Sequence, residues 1–396
     1  MVGCLFNDKI KSRATFAFET SILTEDFNLF MEVVDEFDSP AKPIINDKYL
    51  MRTIKKNIPL DYDLNKFTIE FVNELQFDNR LIVSSASDTI KIWDARTGQL
   101  LNTLNNQPID SVAFSPNNLK IASANSDRSI KIWDAETGQL LNTLHSGHTS
   151  RINSVAFSSD NLRIASGGND TIKIWDVTVQ PGQLLNTLKG QTGWVSSVAF
   201  SPDNLRIVSG GSDRDIKIWD AQTGQLLNTL KGQTGWINSV AFSPDGLIIA
   251  SGSNDCRIKI WDALTCKLLN TLKGHTNKVS SVTFSMDNLR IASASDDRSI
   301  KIWDAQTGQL INTLKGHTDC INSVAFSLDN LRIVSGSSDD SIKIWSHSGK
   351  LLNTLIGHTD EVLSVAFSNP IIYPIDAKLE EHIDVKLKEH AEKLNQ

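Results

Sequence analysis

No stretch of the 396-residue chain approaches 18 consecutive apolar residues, which leaves no candidate for a membrane-spanning helix. The opening text, MVGCLFNDKIKSR, lacks the uninterrupted apolar segment of a secretory leader. Cysteine is scarce. Cys4, Cys256, Cys266 and Cys320 form no CxxC pair and show no zinc-ligand spacing, so they read as free thiols in a reducing compartment. Basic residues never collect into a block and recur singly, as at Lys131, Lys173 and Lys217. With a formal net charge of -7 and a pI near 5.6, the chain is not built to wrap nucleic acid. A GxxxxGKS or GxxxxGKT phosphate loop, an HExxH zinc helix and a GxSxG nucleophile elbow are also missing. These absences lead to the expectation of no catalytic residue, no cofactor, no metal and no membrane role. They place the chain in the cytoplasm, with the nucleus as the alternative.

What is present is repetition. The tetrapeptide IKIW ends at Trp93, Trp133, Trp175, Trp219, Trp261, Trp303 and Trp345, at steps of 40, 42, 44, 42, 42 and 42 residues. Units one to seven are numbered here by those tryptophans. Between them runs nearly constant text: a DAQTGQ-like turn, LLNTLKG, SVAFS, LRIAS and a polar turn. Each apolar run is short, β-branched or aromatic in part, and bounded by Gly, Asn, Asp, Ser or Thr, so each unit predicts four short strands. In Ile152 to Ser158 the alternation puts Ile152 and Ala156 on one face and Val155 and Phe157 on the other. Both faces are apolar, as in a sheet sandwiched between neighbours. The Asp-Ala-x-Thr-Gly turns, Asp134 to Gly138 and Asp304 to Gly308, place glycine where a positive φ is needed. A lone four-stranded unit cannot bury two faces, whereas radial stacking of such units does. A period of about 40–45 residues with four strands points to a propeller.

At this point the text resembles the WD-repeat family. Six units carry Trp-Asp, and Gly-His stands at Gly147-His148, Gly274-His275, Gly316-His317 and Gly357-His358. The resemblance covers about residues 78–368. It implies an all-β fold, a seven-bladed β-propeller of four-stranded antiparallel blades, and a non-enzymatic scaffold or adaptor that binds proteins or peptides. The alternative is a substrate-recognition subunit of a larger complex, such as a ubiquitin ligase or a chromatin assembly. The resemblance also implies a structural hydrogen-bond chain in each full unit. His275, Asp297, Ser293 and Trp303 fit one, and His317, Asp339, Ser335 and Trp345 another. His148, Asp170 and Trp175 fit a third, and His358 with Asp88 a fourth. Gln191 and Gln233 replace the histidine in two units, and Ser346 replaces the aspartate after Trp345, so weaker networks are expected there. Asp88 and Asp170 stand five residues before their tryptophans, where fuller units have six.

The ends of the array are complementary. Gly357 to Pro370 supplies Gly-His and one inner strand, and Asp78 to Asp94 begins at the second strand. Strand Val362–Phe367 is therefore expected to complete the first unit, in competition with the apolar segment 67–77. The resulting division is a non-repeat segment at 1–66, the propeller at 67–368 and a tail at 369–396. Phe27, Phe30, Val34 and Phe37 predict an amphipathic helix over 25–38, and Leu379, Ile383, Leu387, Ala391 and Leu394 a helical tail. Self-association through these terminal segments is the alternative to their packing on the propeller.

Near-identical units allow an internal comparison. The residue before each inner strand varies most, as Arg151, Trp194, Trp236, Lys278, Cys320 and Glu361, and its predecessor includes Asp319 and Asp360. These positions are expected beside the polar turns bearing Arg128, Arg214 and Arg298, at one mouth of the channel. Trp194 and Trp236 either form a partner-binding hot spot, flanked by Arg151 and Lys278, or pack over their own GQTG loops. The mixed signs suit a protein or peptide surface better than a phosphate backbone.

Overall fold

A computed structural model describes residues 2–4, 16–18, 81–87, 89–105, 108–145 and 147–368. The helices expected over 25–38 and in the tail, the segment 67–77 and Asp88 lie outside the described residues. Contacts divide the chain into two units, Met1–Asp78 with Ile371–Gln396, and Asn79–Pro370. In the first, the short strands Val2–Cys4 and Phe16–Phe18 pair antiparallel.

In the second, every regular element among the described residues is a strand. The strands form five four-stranded antiparallel sheets and one of seven strands. The sixth unit shows the plan: Val279–Phe284, Arg290–Ser295, Ser299–Asp304 and Leu310–Lys315 lie side by side in chain order. The seven-stranded sheet contains units three and four, joined through the continuous strand Gln183–Phe200. The early part of that strand pairs with Asn169–Asp176 and its later part with Arg206–Gly211. The polar turn of unit three is a residue short, and the strand after it starts early enough for Asn169 to pair with Trp194.

The core lies between sheets. Seven apolar clusters each draw side chains from two consecutive units. The second strand of each unit is buried on both faces, as at Ile291 and Ala292, both fully inaccessible. That is why these strands alternate large and small apolar residues rather than apolar and polar ones. Ile152 departs from simple alternation. It shares a cluster with Val155 and Phe157, while Ala156 faces the next unit. The equivalent strands carry a bulge at this place, as between Val279 and Ser281 and between Ile321 and Ser323, and one extra residue turns the first side chain over. Gly308 has φ +73°, and a Cβ there would meet Asn270 Nδ2 of the preceding unit at 2.2 Å. Turn conformation and inter-unit contact both favour glycine there, although Cys266 takes the same place in unit five at φ +61°.

Hydrogen bonds also run from unit to unit. In unit six the Val282 N–H donates to Ser239 Oγ (3.1 Å), and in unit seven the Val324 N–H donates to Ser281 Oγ (3.3 Å). The Val365 N–H donates to Ser323 Oγ (3.1 Å), and the Val112 N–H to Ser364 Oγ (3.3 Å). Strand Ser364–Phe367 pairs antiparallel with Leu81–Ser85, which continues through Thr89–Asp94 to Leu100–Asn105. The Leu81 N–H donates to Ser368 Oγ at 3.1 Å, and the Leu363 N–H to the Ser85 carbonyl at 2.9 Å.

Candidate functional site

Two sets of polar side chains stand out, one buried within the units and one at an end of the sheets. The buried set begins at the tryptophan indole. In unit six the Trp303 Nε1–H donates to Ser293 Oγ (2.8 Å), which lies 2.8 Å from His275 Nε2, and His275 Nδ1 lies 2.7 Å from Asp297 Oδ2. Unit seven repeats this through Trp345, Ser335, His317 and Asp339, at 2.9, 2.8 and 2.8 Å. Proton direction follows from chemistry. The indole can only donate, so the serine hydroxyl donates onward to Nε2, and Nδ1–H faces the carboxylate. Burial pushes the His317 imidazole down, against the pull of Asp339. Burial also pushes the Asp339 carboxyl up, but hydrogen bonds from Ser341, the Thr318 N–H and His317 outweigh it and hold the group at about 2. Asp297 is held low by the same kind of bonds, from His275, Ser299 and the Thr276 N–H, against its burial.

Units one and three carry the same series as far as the side chains are described. Ser84 Oγ takes the Trp93 N–H (2.8 Å) and lies 2.7 Å from His358 Nε2. Ser166 Oγ takes the Trp175 N–H (3.0 Å) and lies 2.9 Å from His148 Nε2. Nδ1 of each imidazole lies 3.3 Å from a threonine hydroxyl, Thr89 or Thr171. The side chains of Asp88 and Asp170 lie outside the described residues. Burial lowers both imidazoles to about 4, helped by Lys91 beside His358 and Lys173 beside His148.

The two glutamine units differ from each other. Gln191 reproduces the histidine's polarity: Ser209 Oγ donates to its Oε1 (3.1 Å) and its Nε2 donates to Asp213 Oδ1 (2.8 Å). Lys217 adds a buried ion pair to Asp213 at 2.6 Å, so this network is fuller than its sequence suggests. Sequence reasoning missed that pair, because every unit has a lysine at this place. In units one, three, six and seven it turns toward the neighbouring strand, as Lys301 does toward Thr313 Oγ1 at 3.1 Å. Gln233 donates to Ser251 Oγ (2.9 Å) and leaves its Oε1 buried without a partner, which makes this the weaker network.

The second set lies where the fourth-to-first-strand connections meet the turns between second and third strands. The Ser212 N–H donates to the Trp194 carbonyl and the Asn254 N–H to that of Trp236, both at 2.9 Å. The Asp296 N–H reaches the Lys278 carbonyl at 3.1 Å, and the Ser338 N–H that of Cys320 at 2.8 Å. Trp194 and Trp236 are 53% and 46% exposed, whereas the other seven tryptophans are at most 6% exposed. Their rings meet edge to face, with centroids 6.3 Å apart and planes at 64°. Each ring packs on the other across two units and keeps about half of its surface open.

The charged positions around them are mostly paired. Arg151 lies 3.8 Å from Asp110, whose carboxyl is raised by burial against that guanidinium. Lys278 lies 3.2 Å from Asp296. Glu361 accepts from Ser338 Oγ at 3.1 Å, Asp360 accepts from Ser87 Oγ, and Asp319 accepts from the Cys320 N–H at 2.7 Å. Arg128, Arg214 and Arg298 are exposed and sit at φ +70°, +66° and +66°. Cys256 and Asp340 hold the matching place in other units at φ +64° and +62°. The turn constrains the backbone there and leaves the side chain free to vary.

The family model for the WD domain, G-beta repeat, matches residues 98–134, 138–176, 182–220, 224–262, 266–304 and 308–346. A BTB/POZ domain and WD-repeat protein of Acanthamoeba polyphaga mimivirus is 29% identical over 106 residues, 26% of this chain and 21% of that protein. The chain thus spans about a fifth of the length of the curated relative that it matches. Repeats of this kind generally mediate protein–protein interaction, and with six of them matched over more than half of its length, the chain belongs to the WD-repeat family.

Proposed function

We propose that the chain is a closed seven-bladed propeller that acts as a non-enzymatic interaction scaffold, holding a protein or peptide at the end that bears Trp194 and Trp236. The closed ring is supported by the serine-to-valine bonds. Beyond the four already described, Ser111 accepts from Val155, Ser154 from Val198 and Ser197 from Val240. The series starts from Ser364 and returns to Val365 on the same strand. The observation that carries the binding role is the tryptophan pair, two half-exposed indoles braced against each other in a molecule that buries its other seven. Aromatic anchors that are rigid before binding lose little entropy on contact and dominate interface energies. The paired charges around them fit a mixed polar rim.

The test is affinity purification with Trp194→Ala/Trp236→Ala against the unchanged chain. At least one partner should be lost, with an affinity at least about 30-fold weaker for a two-tryptophan hot spot. Melting temperature should hold, since both side chains are exposed. Recovery of every partner at unchanged affinity would overturn the reading.

A further inference from the structure

The opposite end of the sheets carries a second surface. Because neighbouring strands run antiparallel, the turns joining first to second and third to fourth strands gather at the end away from the tryptophan pair. Of the large apolar side chains exposed among the described residues, only Trp194, Trp236 and Ile356 lie at the tryptophan end. The rest sit on the turns, or on the strand starts, of the other end. At its centre are Leu119, Leu162, Leu205, Leu247, Leu289 and Leu331, one in each of units two to seven, between 39% and 64% exposed.

These leucines are held, not loose. The Leu205 N–H donates to Asp203 Oδ1 (2.9 Å), and its carbonyl accepts from the Ala221 N–H (2.9 Å). Leu289 is gripped likewise, by Asp287 and the Ala305 N–H, both at 2.9 Å. Neighbouring turns are tied into a belt: the Ser159 N–H donates to Asn204 Oδ1 at 2.8 Å, and the Met286 N–H to Asn330 Oδ1 at 2.7 Å. In three of these units the belt charges are paired internally, Asp160 with Arg163 at 3.8 Å and Asp203 with Arg206 and Asp329 with Arg332 at 3.9 Å.

We infer that this leucine belt is the contact surface for a second copy of the chain, face to face. Three observations select that occupant. The leucines recur in six consecutive units, and a surface carrying the same repeat can meet them in register; a partner without the repeat could engage only a few. Acid–base pairs recur along the belt in units three, four and seven, so an inverted copy can set opposite signs against each other. An anionic membrane surface would meet the belt's carboxylates instead. With Leu264, 82% exposed on the adjoining turn of unit five, the leucines present on the order of 600 Å² of apolar surface. That is close to the apolar share of the roughly 800 Å² that each partner of a standard interface buries. Leu264 stands in one unit only, and so sets the rotational register of one copy on the other. The surface differs from the tryptophan end, and either reading can fail alone.

Sedimentation of the full-length chain across micromolar concentrations tests it. The unchanged chain should be a dimer. Leu205→Glu/Leu247→Glu/Leu289→Glu should raise its dissociation constant at least about 100-fold, by setting like charges against each other. The melting temperature of this variant should match that of the unchanged chain diluted below its own dissociation constant, because all three side chains are exposed in the monomer. The matching Leu→Lys triple variant should also be monomeric alone and should form a heterodimer with the Glu variant, a rescue that misfolding cannot imitate. A monomeric unchanged chain overturns the inference, as does a dimer insensitive to the belt substitutions, or one lost in Trp194→Ala/Trp236→Ala instead.

Discussion

A buried imidazole and a buried amide perform the same relay in adjacent units of this chain, and the difference between them is titration. His148 and His358 are neutral in the fold, with pKa values lowered by burial to about 4. An unfolded histidine takes up its proton near 6.5. Between those values the unfolded chain binds more protons, so stability is fully present above pH 6.5 and declines as pH falls toward 4. Each histidine accounts for up to about 3 kcal/mol of that decline. Gln191 does the same hydrogen bonding without a titrating group. His148→Gln/His358→Gln should therefore flatten the dependence of stability on pH, measured by urea denaturation between pH 7 and 4.5. Parallel curves for the two proteins would refute this. Asp339 acts in a lower window: its depressed pKa adds stability above about 3.8 that is lost as pH falls toward 2.

Among the elements, strand Ser364–Phe367 is separated from its partner Leu81–Ser85 by most of the chain, yet it joins the sheet like any inner strand. Val362, Val365 and Phe367 enter the cluster that unit seven shares with unit one. Val365 is 5% exposed. Val365→Asp should cost about 3 kcal/mol or more, since it removes apolar packing and buries an unpaired carboxylate. Val179→Asp, at a side chain 44% exposed, should stay within about 0.5 kcal/mol. Chemical denaturation of the two variants gives the comparison, and equal effects would mean that the strand is not integral to the sheet.

For the whole molecule, the closed ring proposed above leaves each sheet with two neighbours, so loss of one exposes two apolar faces. Unfolding of the ring should be all-or-none, with calorimetric and van't Hoff enthalpies in agreement. A chain ending at Ile356 has an open array that can fray from either end, as stacked repeats do. Its calorimetric enthalpy should exceed the van't Hoff value, and its melting temperature should fall. An unchanged transition would rule the ring closure out. The two ends of the ring are also chemically unlike, one with a braced aromatic pair and the other with a rigid leucine belt, which suits a scaffold that holds one protein while meeting its own copy.

Much of this was legible in the residues alone, because a repeated text makes each position its own control. Seven IKIW tetrapeptides at near-constant spacing imply seven equivalent units, and the split repeat at Asp78 and Gly357 implies that the two ends meet. The series from Trp303 through Ser293 and His275 to Asp297 was legible too, since buried polar groups at fixed offsets need partners. Other features belonged to the tertiary structure, since they depend on which atoms of different units meet in space. The side of the sheet to which Ile152 turns, the Lys217–Asp213 ion pair and the edge-to-face contact of Trp194 with Trp236 are of this kind. So is the leucine belt. Leucine in a DNLR turn reads as a core residue by its chemistry. Only a backbone held at both its N–H and its carbonyl, with the inter-sheet space already filled by Ile and Val, leaves that side chain in water.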